Sequence, residues 1–348
     1  MSKGGSRCAL LVWGWIWLAG PSQAATYPLP PPGDSVIGRL QWVAARHEDT
    51  LLDIARRFDL GYDELRLANP GVDPWLPGAG TRVLLPTRYV LPPGPRRGIV
   101  LNVPEMRLYY YPPVRRGGSA VVITYPVGIG RDGWQTPVGL TRVVDKIRHP
   151  AWYPPASIRK EHAENGTPLP RYVPPGPDNP LGQFALQLGV PGYLIHGTDH
   201  PYGVGMQVSH GCVRLYPEDI QSLFNGVPVG TPVRLVHELY KVGWQGGRLY
   251  LEAHPPVTPQ GKAAVRDLTP AVRLVVDATR GHPGYAVDWA RMQHLILEPE
   301  GIPVPVGIHD PGIAETRAAA LPLAAGDTSS ATAVPVALEK DRPAGAGR

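Results

Sequence analysis

A single cysteine lies in a short segment whose residue types suit nucleophilic chemistry, Ser209-His210-Gly211-Cys212-Val213-Arg214-Leu215. The chain of 348 residues contains 2 cysteines, and the other, Cys8, lies in an apolar N-terminal segment that we expect to be removed. Exported proteins usually pair their cysteines, which Cys212 cannot do within the mature chain. On the cysteine count alone, a buried thiol that packs as a small hydrophobe and a reactive thiol are equally open.

Two histidines could activate this thiol, because a cysteine attacks as its thiolate and a free thiol is only a few per cent ionised near neutral pH. His210 lies two residues before Cys212, and His196 ends a predicted strand sixteen residues upstream. If that strand lies beside the segment with Cys212, His196 comes opposite the thiol. Gly211 lets the backbone approach a substrate closely, and neighbouring amides could hold an oxyanion. The pattern favours acyl transfer: attack on an amide, loss of the amine, and capture of the thioester.

The same side chains could instead bind a metal ion. Zinc accepts ligands of the kinds found here, which are His196, His200, His210 and Cys212. Their spacing is not a standard structural one, but it leaves a zinc hydrolase open. A papain-like protease is less well supported, since the sequence lacks the cysteine signature of that family and its long cysteine-to-histidine separation.

The neighbourhood of the cysteine resembles the L,D-transpeptidases of the YkuD family, in particular the periplasmic ErfK/YbiS branch. The most specific match is His196-Gly197 followed by Ser209 to Arg214, which corresponds to the active-site motif of that family. Some members carry Asn at the position of Arg214, and the Arg form suits this branch. The resemblance covers most of residues 38–260 and includes the segments RGIVLNVPEMRLYYYP, TYPVGIGRDGWQTPVG, HPAWYPPASIR, VPPGPDNPLG and GYLIHGT.

The resemblance implies a role for each residue of the motif. Cys212 would be the nucleophile, His196 would accept and return the proton, and the carbonyl of Gly197 would orient the imidazole of His196. His210 and Gly211 would shape the oxyanion site. The residues that would bind substrate are Ser209, Arg214 and Tyr193. For Arg214, a structural salt bridge with Glu218 or Asp219 is an equal alternative, and for His210 a structural hydrogen bond is open.

The reaction implied by the family needs no cofactor. The thiol would attack the diaminopimelate–D-Ala bond of a peptidoglycan tetrapeptide stem, release D-Ala, and pass the acyl group to an amine. A diaminopimelate amine as acceptor gives a crosslink, and a lysine of a Braun-type lipoprotein gives a tether to the outer membrane. Water as acceptor gives an L,D-carboxypeptidase or a tether hydrolase. From a different class, a catalytically inactive glycan-binding scaffold is the alternative. A carbapenem is expected to add covalently to the cysteine.

Residues 1–24 have the pattern of a signal peptide. Lys3 and Arg7 precede an apolar run from Cys8 to Ala19, and Ser22-Gln23-Ala24 supplies the small residues that a signal peptidase requires. The run is shorter than the about 20 residues of a membrane-spanning helix. We therefore expect cleavage after Ala24 or Ala25, a periplasmic enzyme, and no stable membrane insertion afterwards.

Residues 38–87 form a predicted small unit with the order strand, helix, helix, strand. Asp49-Thr50 is a capping signal, and apolar residues recur at helical spacing from Leu51 to Phe58. A second helix is predicted to close at Asn69-Pro70-Gly71. The unit resembles the LysM module, which implies a βααβ fold that binds glycan strands of peptidoglycan. Glu48 replaces the Gly that usually precedes Asp-Thr, so a packing domain without glycan affinity is the alternative.

Short apolar runs separated by turns follow from Gly98 to Glu238 and predict a mainly β, β-sandwich-like catalytic domain. Together with the α+β LysM-like module and a short C-terminal β-rich subdomain, this gives the predicted fold class. In the subdomain we predict strands at RLYLEAH and AVRLVVDAT and a helix at YAVDWARMQ. The predicted division is a signal peptide at 1–24, a Pro-rich linker at 25–37, the module at 38–87, the catalytic domain at 97–238, the subdomain at 239–310 and a disordered tail at 311–348.

The charge of the chain argues against nucleic acid as a partner. The formal net charge of +5 is a mild excess without a Lys/Arg block, which does not form the concentrated basic patch of a nucleic-acid-binding protein. A mild positive charge is compatible with an anionic cell-wall polymer. The 43 prolines and 41 glycines indicate turns and short strands rather than long helices.

Overall fold

The computed structural model describes residues 24–114, 116–257 and 267–323. Apart from Ala24, the predicted signal peptide lies outside these residues, as does the predicted tail from residue 324 onward. Within the described part of the chain, no helix combines the length and the hydropathy that crossing a membrane would require.

The N-terminal region contains two short helices between paired strands. Its elements are β1 (Ala25–Pro28), β2 (Val36–Gly38), β3 (Gln41–Ala44), α1 (Leu51–Arg57), α2 (Tyr62–Ala68), β4 (Arg82–Leu85) and β5 (Arg88–Val90). Strands β3 and β4 pair antiparallel, so the predicted order strand, helix, helix, strand is confirmed. Thr50 caps α1 as its sequence predicts: its hydroxyl accepts from the N–H of Asp53, whose carboxylate accepts from the N–H of Thr50.

The catalytic region is built on one curled sheet. Its elements are β6 (Gly98–Asn102), β7 (Arg107–Tyr111), β8 (Val121–Pro126), β9 (Ile129–Gly130), β10 (Gly139–Arg148), α3 (Ala156–Glu164), β11 (Phe184–Leu188), β12 (Leu194–His196), β13 (Gln207–Ser209), β14 (Val213–Arg214), α4 (Pro217–Gly226) and β15 (Pro232–Val236). Nine strands join in the order β1-β8-β7-β6-β15-β10-β11-β12-β14. The mainly β prediction is confirmed.

Both faces of the central strands are buried. Ile99 and Leu101 pack into a core with Ile220 and Leu223 of α4, whereas Val100 between them packs into a second core on the opposite face. Alternate residues of a strand point to opposite faces. A strand covered on both sides therefore reads as a continuous apolar run, which is what the sequence has here.

The C-terminal region consists of β16 (Tyr240–Gln245), β17 (Arg248–Ala253), α5 (Thr269–Thr279), α6 (Trp289–Leu297), β18 (Val304–Pro305), α7 (Ile313–Ala318) and β19 (Leu321–Pro322). The predicted strand RLYLEAH and the predicted helix around Trp289 are confirmed. Its core is continuous with the predicted N-terminal module: Leu40, Ala68 and Leu84 of residues 38–87 lie in one apolar cluster with residues of β17, α6 and β18. The module and the C-terminal region therefore pack as neighbours, and the domain boundaries stay predictions.

Three expectations for local structure are wrong. The predicted linker at 25–37 contains strand β1, which pairs with β8. Alternate residues of this strand, Ala25 and Tyr27, are buried in the core, and this burial favours a strand over a linker. The predicted strand AVRLVVDAT is helix α5, whose Ala271 and Val275 lie four residues apart on the buried face. The predicted tail is ordered as far as residue 323, since β19 pairs in parallel with β3.

Candidate active site

Two neighbouring strands bring His196 and Cys212 together. Strands β12 and β14 pair in parallel, with Ile195 opposite Val213 and His196 opposite Arg214. One residue earlier in this register, Cys212 comes beside Leu194. Because side chains alternate along a strand, those of Cys212 and His196 project from the same face. The side-by-side arrangement that the sequence predicts is therefore present.

Cys212 is a free cysteine that is partly buried. Its Sγ donates to the carbonyl oxygen of Gly192, at 3.7 Å. Burial raises the pKa of the Cys212 thiol, and the N–H of Leu194 and the guanidinium of Arg214 only partly oppose this effect. In the free protein the cysteine is therefore a neutral thiol.

The imidazole of His196 is buried and oriented by the backbone. Its Nδ1 donates to the carbonyl oxygen of Gly197 at 2.7 Å, which is the contact that the family resemblance implies. Burial and the nearby charge of Arg214 lower the pKa of His196 to about 3, although the Gly197 carbonyl acts in the opposite direction. The ring is therefore neutral, with its proton on Nδ1 and a free electron pair on Nε2.

Internal hydrogen bonds shape the loop before Cys212. The hydroxyl of Ser209 donates to the carbonyl oxygen of Cys212 at 2.5 Å and accepts from the N–H of Gly211 at 3.1 Å. From the loop between β9 and β10, the hydroxyl of Thr136 donates to the carbonyl oxygen of Gly211 at 3.0 Å. We predict Ser209 from the sequence as a substrate-binding residue, but its hydroxyl is engaged within the loop. Thr136 is a residue of the site that the sequence alone did not single out.

Gly211 cannot readily be replaced by another residue. Its φ of 102° lies in the region that side chains disfavour, and a Cβ there would come 3.1 Å from Cε1 of Tyr193. The ring of Tyr193 therefore covers the backbone just before the cysteine. Tyr193 thus lies beside the residue that precedes Cys212, and its role in substrate binding stays a prediction.

His210 contacts helix α3 through Glu161. Its Nε2 lies 3.0 Å from Oε2 of Glu161 and 3.0 Å from a guanidinium nitrogen of Arg131, and Arg131 also forms an ion pair with Glu161. The ring packs edge-on against Trp134, with centroids 4.9 Å apart. Burial lowers the pKa of His210, while the hydrogen bond to Glu161 acts to raise it.

The sequence did not identify Glu161 or Arg131. Arg131 and Trp134 lie in the segment TYPVGIGRDGWQTPVG, which carries part of the family resemblance, so a signal for them was present. Glu161 comes 49 residues before His210 on a helix of low hydropathy, and no local pattern connects the two.

Arg214 is a half-buried cation whose Nε is buried without a hydrogen-bond partner. The two acids considered from the sequence as its salt-bridge partners are engaged elsewhere. Glu218 pairs with Arg56 at 3.1 Å, and Asp219 is a buried acid whose pKa is raised by desolvation and by the nearby Asp59. A structural salt bridge to either acid is therefore not what holds Arg214.

The zinc alternative is not supported by the geometry. His200 is largely exposed and pairs with its neighbour Asp199. Within residues 24–114, 116–257 and 267–323, the metal-type ligand atoms that converge belong to Glu105, Glu252 and His254. The ammonium of Lys241 already lies 2.8 Å from Glu105 and 2.9 Å from Glu252, so this cluster is a buried ion network.

Comparison with known proteins adds an independent line of evidence. Residues 96–235 match the YkuD family, described as the L,D-transpeptidase catalytic domain. The chain is 39% identical over 305 residues to the probable L,D-transpeptidase YcfS of Escherichia coli K12, covering 84% of this chain and 92% of that protein. It is 38% identical over 302 residues to the probable L,D-transpeptidase ErfK/SrfK of Salmonella typhimurium, covering 84% and 94%. YbiS of Escherichia coli K12, also a probable L,D-transpeptidase, is 39% identical over 289 residues, covering 81% and 92%.

Proposed function

This chain belongs to the L,D-transpeptidase family and is an enzyme of that class, and on this premise we propose which residues perform the reaction and on what substrate. Cys212 attacks the carbonyl carbon of the diaminopimelate–D-Ala bond in a peptidoglycan tetrapeptide stem. The observation that carries this proposal is the pairing of β12 with β14, which sets Cys212 and His196 on one face.

The neutral state of both groups defines how the proton moves. The thiol gives its proton to Nε2 of His196 as the sulfur–carbon bond forms, and the imidazolium returns that proton to the departing amine of D-Ala. The carbonyl of Gly197 stabilises the imidazolium because it already accepts from Nδ1 at 2.7 Å. An acceptor amine then attacks the thioester, loses its proton to His196, and leaves Cys212 as a thiol again.

The oxyanion of the tetrahedral intermediate needs donors near Cys212. The N–H of Gly211 already donates to Ser209, so we assign the oxyanion to the N–H of Cys212. Gly211 and Ser209 then act by holding the loop in the conformation that presents this amide.

Arg214 supplies the charge that a peptidoglycan stem requires. The stem carries carboxylates near the scissile bond, and Arg214 is a cation beside the thiol whose buried Nε has no partner. We therefore assign Arg214 to a substrate carboxylate and Tyr193 to the adjacent apolar surface.

Glu161 holds His210 and thereby connects helix α3 to the loop before Cys212. The carboxylate of Glu161 joins Arg131 and His210, which come from different segments of the chain. We assign Glu161 as a positioning residue: it fixes the loop that ends at Cys212 through His210 and touches neither thiol nor substrate.

The LysM-like module is assigned to glycan strands. The loop between α2 and β4 presents Trp75 with 60% of its surface exposed, an aromatic face that a sugar ring can cover. A second binding site on the same chain raises the local concentration of stem peptides at Cys212. Residues 1–24 are assigned as a signal peptide and the enzyme to the periplasm. A diaminopimelate amine is the acceptor that we favour, with a lysine of a Braun-type lipoprotein as the other amine of the right chemistry.

Mass spectrometry of the products tests the proposal directly. The mature protein is incubated with disaccharide-tetrapeptide, with Cys212→Ala in parallel. Loss of D-Ala together with a new dimer is the expected result. A tripeptide without dimer would identify water as the acceptor and contradict crosslinking. Products that form equally with Cys212→Ala would contradict the nucleophile.

A further inference from the structure

Two buried carboxyl groups meet at the junction between the LysM-like module and the catalytic domain. Asp59 follows α1 of the module, and Asp219 lies in the first turn of α4, a few residues after Cys212. Their side chains are 5% and 1% exposed, and after burial the nearby carboxyl of Asp59 is a further cause that raises the pKa of Asp219. Two neighbouring buried carboxyl groups do not both ionise readily, so one of them keeps a proton.

The backbone at Asp59 is also unusual. Its φ of 54° lies in the left-handed region, which Gly adopts most readily and Asp occasionally. The chain places an acid there instead of a glycine.

The charges around this pair do not balance. Arg107 is fully buried nearby, but Glu64 already pairs with it at 2.6 Å. Among the described residues, Arg107 thus faces Glu64, Asp59 and Asp219, while the neighbouring Glu218 pairs with Arg56. In addition, Oδ2 of Asp219 is buried without a hydrogen-bond partner. The junction has room for one more positive charge.

The nitrogen of Ala25 lies where such a charge is needed. Its N–H donates to Oδ2 of Asp59 at 3.2 Å, and Ala25 itself is 5% exposed. Ala25 is the first residue of β1, at the edge of the nine-stranded sheet. Directly before it stand Ser22, Gln23 and Ala24, which have the small residues that a signal peptidase recognises.

We propose that cleavage between Ala24 and Ala25 creates an N-terminal ammonium that pairs with the Asp59 carboxylate and completes this junction. A signal peptidase hydrolyses the peptide bond with one water molecule: residues 1–24 leave with the new carboxylate, and the new amine of Ala25 takes up a proton. Because Ala25 is buried in the folded protein, cleavage precedes folding. The inference rests on the proposed export signal and is independent of the assigned acyl transfer.

The ion pair connects three parts of the molecule. Ala25 belongs to the edge of the catalytic sheet, Asp59 to the LysM-like module, and Asp219 to the helix that follows the cysteine segment. Removal of the leader thus stabilises the module against the domain that contains Cys212.

Defined N-termini test this directly. The chain that begins at Ala25 is compared with a matched chain that begins at Ala24, in which the charge is displaced by one residue. We expect the Ala25 form to melt about 3–8 °C higher, since 1 kcal/mol shifts the melting temperature of a domain of 150–250 residues by about 2–4 °C. Asp59→Asn in both chains should abolish the difference. Equal melting temperatures, or a difference that persists with Asn, would overturn the ion pair.

A second measurement needs no variant of Asp59. The folded Ala25 chain is exposed to reductive methylation and mapped by mass spectrometry, with Lys160 as the accessible reference because its side chain is 77% exposed. We expect the Ala25 amine to react at least about tenfold more slowly than Lys160. Equal labelling, or an exported protein whose first residue is not Ala25, would overturn the proposal. Dimer formation from tetrapeptide is assayed on the same sample, so loss of acyl transfer is separated from failure of the ion pair.

Discussion

The Cys212–His196 pair and the Asp59–Asp219 pair show two uses of burial. In both, desolvation favours the neutral form. It raises the pKa of the thiol and of the carboxyls, and it lowers the pKa of the imidazole. In the first pair Cys212 is only partly buried, so a substrate can reach it. The second is enclosed between the module and α4. The lesson is that a shifted pKa identifies a reactive site only where a substrate can reach it.

Cys212→Ser breaks the first pair and has the largest expected effect. A hydroxyl is far less ionised than a thiol near neutral pH, so we expect turnover of tetrapeptide to fall by at least about 1,000-fold. Product mass spectrometry measures this. The melting temperature should remain unchanged, since the two side chains are nearly equal in size. Turnover within tenfold of the natural enzyme would contradict the nucleophile.

His196→Ala tests whether Cys212 and His196 form a neutral pair or a thiolate–imidazolium pair in the free enzyme. We expect turnover to fall by about 100- to 10,000-fold. Alkylation of Cys212 by iodoacetamide should change less than about threefold, because His196 holds no thiolate in the free enzyme. Peptide mass spectrometry measures the alkylation rate, and His200→Ala is the control, since His200 is 80% exposed. A large drop in alkylation would show that the ground state is an ion pair.

Arg107→Met tests whether the junction acts on stability rather than on chemistry. Removing one partner of a buried ion pair leaves Glu64 uncompensated, so we expect the free energy of unfolding to fall by about 3–5 kcal/mol. Denaturant unfolding measures it. Arg66→Ala is the matched control: its pair with Asp63 is exposed, and we expect a loss below about 0.5 kcal/mol. A loss below about 1 kcal/mol for Arg107→Met would contradict the role of the buried pair.

Glu161→Gln tests a smaller effect at the edge of the active site. Loss of a charge-assisted hydrogen bond should lower kcat/KM by about tenfold, with most of the change in kcat. The pKa of His210, followed by NMR, should fall further, because Glu161 acts to raise it. Glu164→Gln on the same helix is the control, since Glu164 is 66% exposed. An unchanged His210 titration would show that Glu161 does not position this ring.

The pH dependence of stability gives the smallest expected effect. In the chain that keeps Ala24, burial raises the pKa of Asp59 to about 6, while Asp219, Arg107, Glu64 and the Ala25 amide also act on it. A raised pKa means that the folded state holds the proton more tightly than the unfolded state, whose Asp has a pKa of about 3.9. This stabilisation is complete below pH about 4 and is lost as the pH rises through about 6. Thermal melts should show a smaller loss over this interval for Asp59→Asn, and an equal loss would contradict the assignment.

Local sequence patterns predicted most of the individual helices and strands. The caps and apolar spacing of α1 and α2, and the apolar runs of β6 and β7, depend on neighbours within a few residues, so the sequence reveals them. Helix α5 was mistaken for a strand because Val favours strands in general, whereas its burial against other elements selected a helix. Strand β1 was mistaken for a linker because its partner, β8, lies about a hundred residues away.

The sequence by itself determined the chemistry: a cysteine after His-Gly, a second histidine on an upstream strand, and a small module before the catalytic domain. Residue types and short spacings are enough for these, since they follow from reactivity and from local backbone preference. Tertiary structure alone decided that Glu161 holds His210, that Asp59 meets Asp219, and that Ala25 lies against Asp59. These contacts join residues far apart in sequence, and their free energy comes from burial and charge pairing, which exist only after the chain has folded.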